Sequence, residues 1–361
     1  MKIGVMTFWW SEDNYGQLLQ CFALQKYLIE SGHDAFLIRY DPRNDYKKDK
    51  FRVFKILNPK LVFFKITSFL FSKKKTNRQF NTFRSDFIKS TNVLYHHYKE
   101  LVEHPPIADM YITGSDQVWN FPDSYVRYEN LINAYFLNFG ASDIKRISFA
   151  ASFSRQKIGK SLQAYIKPLL SKFDYVTVRE IEGLSLCRSL GCNNAKLILD
   201  PTFLINSNQY PITEKKDSNL KYIFVYLLGS KCYYPKTQIE QFASENHLGI
   251  KYVYSQGNMN KGIEASIHEW ISLICNSEYV ITNSFHGTVF AILFNKKFVS
   301  LPLSSFFKEA NTRLNTLLSF FQLEDSKYQD DIKVCVNYEI NWNSVNEKII
   351  KYRDSISYLF Y

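Results

Sequence analysis

His286 stands in the run Ser284-Phe285-His286-Gly287, between an apolar strand pattern at 279–282 and a second apolar run at 289–294. An imidazole at a strand-to-helix turn sits at the open carboxyl end of a parallel sheet, where α/β enzymes place ligands. Unperturbed imidazole as a chemical group changes charge near neutrality, which is why this residue type suits proton transfer. Local hydrogen bonding would account for a lone histidine equally well. Three more turns of this kind carry polar groups. Asn14-Tyr15-Gly16-Gln17 opens a helix; Gly16 permits close backbone approach, and the unpaired amides of the first turn attract phosphate or carboxylate. Thr113-Gly114-Ser115-Asp116-Gln117-Val118-Trp119-Asn120 gathers a glycine, a carboxylate, two amides and an indole within eight residues. That density suits sugar recognition, with Asp116 as a helix cap the alternative. Val178-Arg179-Glu180 offers a guanidinium that clamps carboxylate or phosphate in bidentate fashion, or else pairs with Glu180 or Glu182. Lys308 and Arg313 follow the strand after the histidine turn and add positive charge nearby. His96, His97 and His104 lack an accompanying ligand set, so no metal is expected.

The elements that position these turns alternate. Strand patterns at 2–8, 34–40, 110–113, 146–150, 175–178 and 196–199 are interleaved with helical patterns at 17–30, 158–173 and 180–190. Such a βαβ succession belongs to a parallel sheet covered by helices on both faces. A polar stretch at 206–219 reads as a linker, after which strands at 222–228, 250–254, 279–282 and 298–301 alternate with helices at 237–247, 267–276 and 287–294. The reading is an α/β chain of two similar halves facing a central cleft. The N-terminal domain covers 1–208, with a basic helical insertion at about 42–105, and the C-terminal domain covers 209–361. A C-terminal helix at about 344–359 is expected to pack back on the first half.

Length supports this division, since 361 residues are many for one core and 46% hydrophobic content is ample for two. The six cysteines form no CxxC pairs and read as reduced thiols rather than a disulfide framework or a zinc site. Residues 1–10 read as a strand and not as a signal peptide, and no apolar run reaches membrane-spanning length, so a cytoplasmic protein is expected. The net charge of +11 is concentrated: residues 42–89 hold 14 Lys and Arg against 3 Asp and Glu. Aromatic and aliphatic residues interleave with the lysines there. Residues 47–75 therefore suit peripheral contact with an anionic membrane at its inner face, or a lipid-linked substrate. The alternative is a solvated helical insertion packed on its own domain. No motif supports nucleic acid as a partner.

Taken together, the Asn14 to Gln17, Thr113 to Asn120 and Val178 to Glu180 turns, with Leu199-Asp200-Pro201-Thr202 and Ser284 to Gly287, resemble the polysaccharide pyruvyl transferase family, in order, from residue 1 to about 323. The resemblance implies two Rossmann-like domains of the glycosyltransferase B type. It further implies phosphoenolpyruvate as co-substrate with no other cofactor, and an acceptor sugar in a bacterial surface glycan such as a capsule or exopolysaccharide. His286 would be the general acid or base, with Asp116 and Arg179 as the other catalytic residues. Donor contacts would come from Arg179, the helix-start amides at Gly16 and Gly287, and from Gln17, Ser284, Arg313 and Lys308. Acceptor contacts would come from Asn14, Tyr15, Ser115, Asp116, Gln117 and Asn120, with Trp119 as the stacking surface. Some members carry an arginine where this chain has Ser284, so either another cation holds the donor, Arg179 before Arg313, or the donor itself is altered. The competing readings are a glycosyltransferase with a nucleotide-sugar donor and an inactive glycan-binding protein of the same fold.

Overall fold

The computed structural model describes residues 1–41, 78–213, 220–229, 234–254, 262–303 and 311–360. The first half is a parallel sheet of β1 (Lys2–Met6), β2 (Asp34–Leu37), β3 (Met110–Thr113) and β4 (Lys145–Ser148), in the order β2-β1-β3-β4. Two short strands, β5 (Thr177–Val178) and β6 (Lys196–Leu197), prolong it through bridges from Ile147 to Tyr175 and from Ala151 to Val178. The chain then crosses to a second parallel sheet. There β7 (Tyr222–Leu227), β8 (Gly249–Tyr254), β9 (Tyr279–Thr282) and β10 (Lys297–Ser300) lie in the order β10-β9-β7-β8. The central strands β3 and β7 are buried along their whole length, which is why they read as continuous apolar runs with no alternation. Two Rossmann-like halves result, as the alternating pattern anticipates.

Four helices join the halves and frame the space between them: α1 (Tyr15–Glu30), α2 (Phe285–Leu293), α3 (Asn311–Phe321) and α4 (Trp342–Ile356). Helix α1 is apolar on nearly every side because it lies in the seam between the sheets. Leu18, Leu19, Cys21, Phe22, Leu24 and Leu28 are all buried in one cluster that runs through both halves. Burial of each large apolar side chain is worth about 1.5–3 kcal/mol, so this seam is a major source of stability. At its head, the Tyr15 ring stacks on Trp270 with centroids 5.0 Å apart, and its hydroxyl donates to the Ala265 carbonyl at 2.6 Å. Helix α4 returns to the first half: the Tyr352 hydroxyl donates to Leu199 O at 3.0 Å, and Arg353 donates to Phe203 O and Ile205 O at 2.6 Å each.

The basic residues 47–75 lie outside the described residues, as does Lys308. No helix among the described residues is long and apolar enough to cross a membrane.

Candidate active site

Strand order turns about β1 and β3 in the first sheet and about β7 and β9 in the second. Loops leaving the carboxyl ends of neighbouring strands at such a point diverge and open a crevice. Here the two crevices face each other and enclose a cavity of about 260 Å³. Phe8, Asn14 and Gln17 line it from behind β1, Asp116 and Gln117 from behind β3, and Leu228 from behind β7. Residues 283–286 follow β9, and Leu303, Asn311, Arg313 and Leu314 follow β10. The first turns of α1, α2 and α3 all reach this space, so three helix N-termini contribute partial positive charge to it.

Local sequence explains how the side chains arrive there. Gly114, at φ +107°, passes so close to the next strand that a Cβ would stand 2.4 Å from the Phe149 carbonyl. The turn it permits carries Asp116 at φ +70°, a left-handed backbone uncommon for a residue with a side chain. Gly287 lets α2 lie flush on β9, since a Cβ there would meet the Thr282 hydroxyl at 2.5 Å. Ser284 caps the same helix, accepting from the Gly287 amide at 3.2 Å. His286 is thereby pushed across the seam onto the first turn of α1.

A buried network of charges backs the cavity. Asp200, with no solvent exposure, holds Arg179 Nη1 at 2.7 Å and the Ser115 hydroxyl at 3.0 Å on Oδ2, and the Thr202 hydroxyl and amide at 2.8 and 3.1 Å on Oδ1. His286 Nε2 faces Oδ2 at 3.5 Å, an electrostatic contact longer than a hydrogen bond. Burial opposes ionisation of Asp200, but His286, Arg179 and the Thr202 amide outweigh it, and its carboxyl lies well below the usual range. Arg179 Nη2 reaches Asp116 at 3.4 Å, and its guanidinium covers the Phe285 ring at 4.5 Å. Burial alone would depress Arg179; Asp200, Asp116 and Glu180 more than compensate and hold it above its ordinary value. Arg313 is different. Burial, reinforced by the neighbouring Arg179 cation, lowers it to about 10, because Asp116 at 3.9 Å, Glu180 and Asp200 compensate only partly. Its Nε has no hydrogen-bond partner among the described residues, while the Gln117 amide lies 3.0 and 3.3 Å from its terminal nitrogens. Glu180 accepts from the Phe153 and Ser154 amides and the Ser152 hydroxyl, and burial pushes its carboxyl above the ordinary value.

Of the residues singled out in the sequence, Asn14, Gln17, Asp116, Gln117, Ser284, His286 and Arg313 converge on the cavity, and Gly16 abuts His286. Others are corrected by their surroundings. Arg179 is not on the cavity wall and has both terminal nitrogens on carboxylates, so it orders Asp116 and Asp200 instead of clamping a ligand. Trp119 is no stacking surface: its indole lies in the core against Phe136, 4.8 Å between centroids, and donates to Tyr135 O. Tyr15 is a staple between the halves, and Ser115 is spent on Asp200 and Ala150 O. Asn120 is exposed off the cavity and donates to Gln117 at 2.9 Å, and the Gly287 amide is taken up by the Ser284 cap. Asp200, the hub, has no role assigned from sequence, although the Asp-Pro-Thr string marked its place. Asn283, which bonds both the amide and the carbonyl of Leu228, carries no local sequence signature.

A family model described as polysaccharide pyruvyl transferase matches residues 14–305. No curated protein matches the chain in sequence. Among solved structures, the chain is similar to the S. aureus MnaA–UDP co-structure (11% identity, TM-score 0.50, covering 100% of this chain and 89% of that one). It is also similar to the Methanocaldococcus jannaschii UDP-GlcNAc 2-epimerase in complex with UDP-GlcNAc and UDP (14%, TM-score 0.46, 97% and 99%). A third is Arabidopsis thaliana UGT89C1 complexed with UDP (9%, TM-score 0.42, 99% and 93%). At 11% identity the first of these speaks for the fold alone, the two-domain glycosyltransferase B architecture.

Proposed function

The chain belongs to the polysaccharide pyruvyl transferase family, and on that premise we propose that it transfers pyruvate from phosphoenolpyruvate to two hydroxyls of a sugar in a bacterial surface glycan or its lipid-linked precursor. The product is a cyclic ketal. In this reading His286 delivers a proton to the methylene carbon, leaving an oxocarbenium-like centre that one acceptor hydroxyl attacks. Phosphate departs as the C–O bond to it breaks, and the second hydroxyl closes the ring. Of the two protons the acceptor loses, one replaces that delivered by His286 and the other leaves with phosphate. Asp116, on the cavity wall beside Arg313, receives a hydrogen bond from the attacking hydroxyl.

The observation that carries this reading is Arg313. It is a buried cation on the cavity wall, 3.9 Å from Asp116, with its Nε unpartnered among the described residues and its place in the first turn of α3. Such a group is completed by a small anion. It stands in for the arginine that Ser284 replaces. The cavity, about 260 Å³, suits a three-carbon phosphorylated acid better than a nucleotide sugar, since drug-sized ligands occupy roughly 300–1,000 Å³. No metal enters the scheme. The same proposal puts the reaction in the cytoplasm, with the basic residues 47–75 drawing the enzyme to an anionic membrane that carries the acceptor.

The test is phosphate release by purified protein given phosphoenolpyruvate and candidate glycans. Release that requires both substrates and disappears in His286→Ala supports the reading. Binding of a nucleotide sugar but not of phosphoenolpyruvate would redirect it to glycosyl transfer. Deletion of 47–75 should abolish binding to anionic vesicles and spare turnover of a water-soluble acceptor.

A further inference from the structure

His286 belongs to the second half, yet its ring occupies a slot whose two walls belong to the first. On one side is Gly16, where a Cβ would stand 2.0 Å from Nδ1; on the other is Asp200, with Oδ2 3.5 Å from Nε2. Nε2 is buried and has no hydrogen-bond partner among the described residues. We infer that Asp200 fixes the tautomer and orientation of His286, so that Nδ1 is the nitrogen offered to substrate, and that this fixing exists only while the two halves are docked. The inference rests on the proposal that His286 is the proton donor.

Asp200 is suited to the task because it cannot move and cannot donate. Both carboxylate oxygens are tied down, Oδ1 by Thr202 and Oδ2 by Arg179 and Ser115. The Tyr352 hydroxyl and the Arg353 guanidinium hold the backbone carbonyls of Leu199 and Phe203 on either side of it. An ionised carboxylate offers lone pairs only, so even at 3.5 Å it favours the tautomer that turns an N–H toward it over the one that turns a lone pair. In the neutral ring that leaves the lone pair on Nδ1, which lies against α1 at Gly16, in a residue that lines the cavity. After Nδ1 has given its proton to the substrate, the remaining Nε2–H faces Asp200, and while the ring is charged the same carboxylate stabilises it. Asp200 is therefore a positioning residue. Because the ring and the carboxylate sit on different sheets, separating the halves removes carboxylate and slot together.

The test is nitrogen-15 NMR of the full-length protein with labelled histidine, the His286 signals being identified by their loss in His286→Gln. The expected neutral form carries its hydrogen on Nε2. In Asp200→Asn that preference is expected to weaken, and kcat to fall about 10–100-fold while KM for phosphoenolpyruvate changes by less than about threefold. A wild-type ring with its hydrogen on Nδ1, or a folded Asp200→Asn with an unchanged ring signature, would overturn the inference. Should Asp200→Asn fail to fold, Gly16→Ala closes the slot without touching the carboxylate. The same spectral change is then expected, and an unaltered spectrum refutes it. A wild-type protein that shows the Nε2–H ring but releases no phosphate from phosphoenolpyruvate counts against the reaction and for the role of Asp200.

Discussion

A methyl group on Gly16 would stand 2.0 Å from Nδ1 of His286, although 270 residues and two separate sheets divide them. The glycine is thus required by a side chain of the other half, and its own backbone angles do not demand it. Gly16→Ala should expel the imidazole from its slot while leaving each sheet intact. Misplacement by about 1 Å can cost roughly 100-fold in rate, and overpacking costs about 1–3 kcal/mol. The expected outcome is a large fall in kcat with a modest fall in melting temperature. A fully active Gly16→Ala would mean that the ring works from elsewhere.

Arg313 should show the opposite balance, being costly to the empty protein and useful to the liganded one. Its folded value of about 10 lies below the ordinary guanidinium value, so between the two the unfolded chain binds more protons, and stability rises with pH through that window. Below it, at neutral pH, the full burial cost is felt. Arg313→Met should therefore unfold at an equal or higher temperature than wild type when no anion is present. Inorganic phosphate at about 100 times its dissociation constant should stabilise the wild type by roughly 2.7 kcal/mol and leave the variant unmoved. Equal phosphate shifts in both proteins would remove Arg313 from the site.

Asp200 predicts an acid limb. Its carboxyl is held below the usual range, so its contribution is present above the unfolded value of about 3.9 and is lost as pH falls through the folded value. Asp200→Asn strands Arg179 and should cost about 3–5 kcal/mol at neutral pH. The gap between variant and wild type in urea unfolding should then narrow as the pH is taken well below 4. A gap that stays constant would show that the ionised form is not what the fold relies on.

Much of the architecture was legible because apolar runs broken by glycine or aspartate mark the ends of parallel strands, and 110–113 and 279–282 coincide with β3 and β9 residue for residue. The turns at Asn14, Asp116 and His286 were legible for the same reason. What escaped was pairing at a distance. Leu199-Asp200-Pro201 reads as a strand stop, and nothing local reveals that Ser115, 85 residues away, and His286 converge on it. From sequence Arg179 ranks above Arg313, because a strand-end guanidinium looks available and its carboxylate partners, Asp116 and Asp200, are distant in the chain. Helix α3 and the short helix at Ile332–Asn337 were not anticipated from periodicity, and the second is too short to display one.

The aromatic residues of the two N-terminal turns give the sharpest separation between packing and recognition. Tyr15 looks like a sugar contact by position, yet its ring lies parallel to Trp270 and its hydroxyl is committed to Ala265 O, so what it binds is the other half of the chain. Tyr15→Phe removes one buried hydrogen bond and keeps the stack, which should cost about 0.5–1.5 kcal/mol. Tyr15→Ala opens a cavity in the seam and should cost about 3–5 kcal/mol. Trp119→Phe, which shrinks a core side chain and leaves Tyr135 O without its donor, should likewise lower the melting temperature. In Tyr15→Phe and Trp119→Phe alike, KM for the glycan should remain within about twofold of wild type, since neither group reaches the cavity. A tenfold rise in that KM for either variant, with the melting temperature unchanged, would return the residue to the acceptor site.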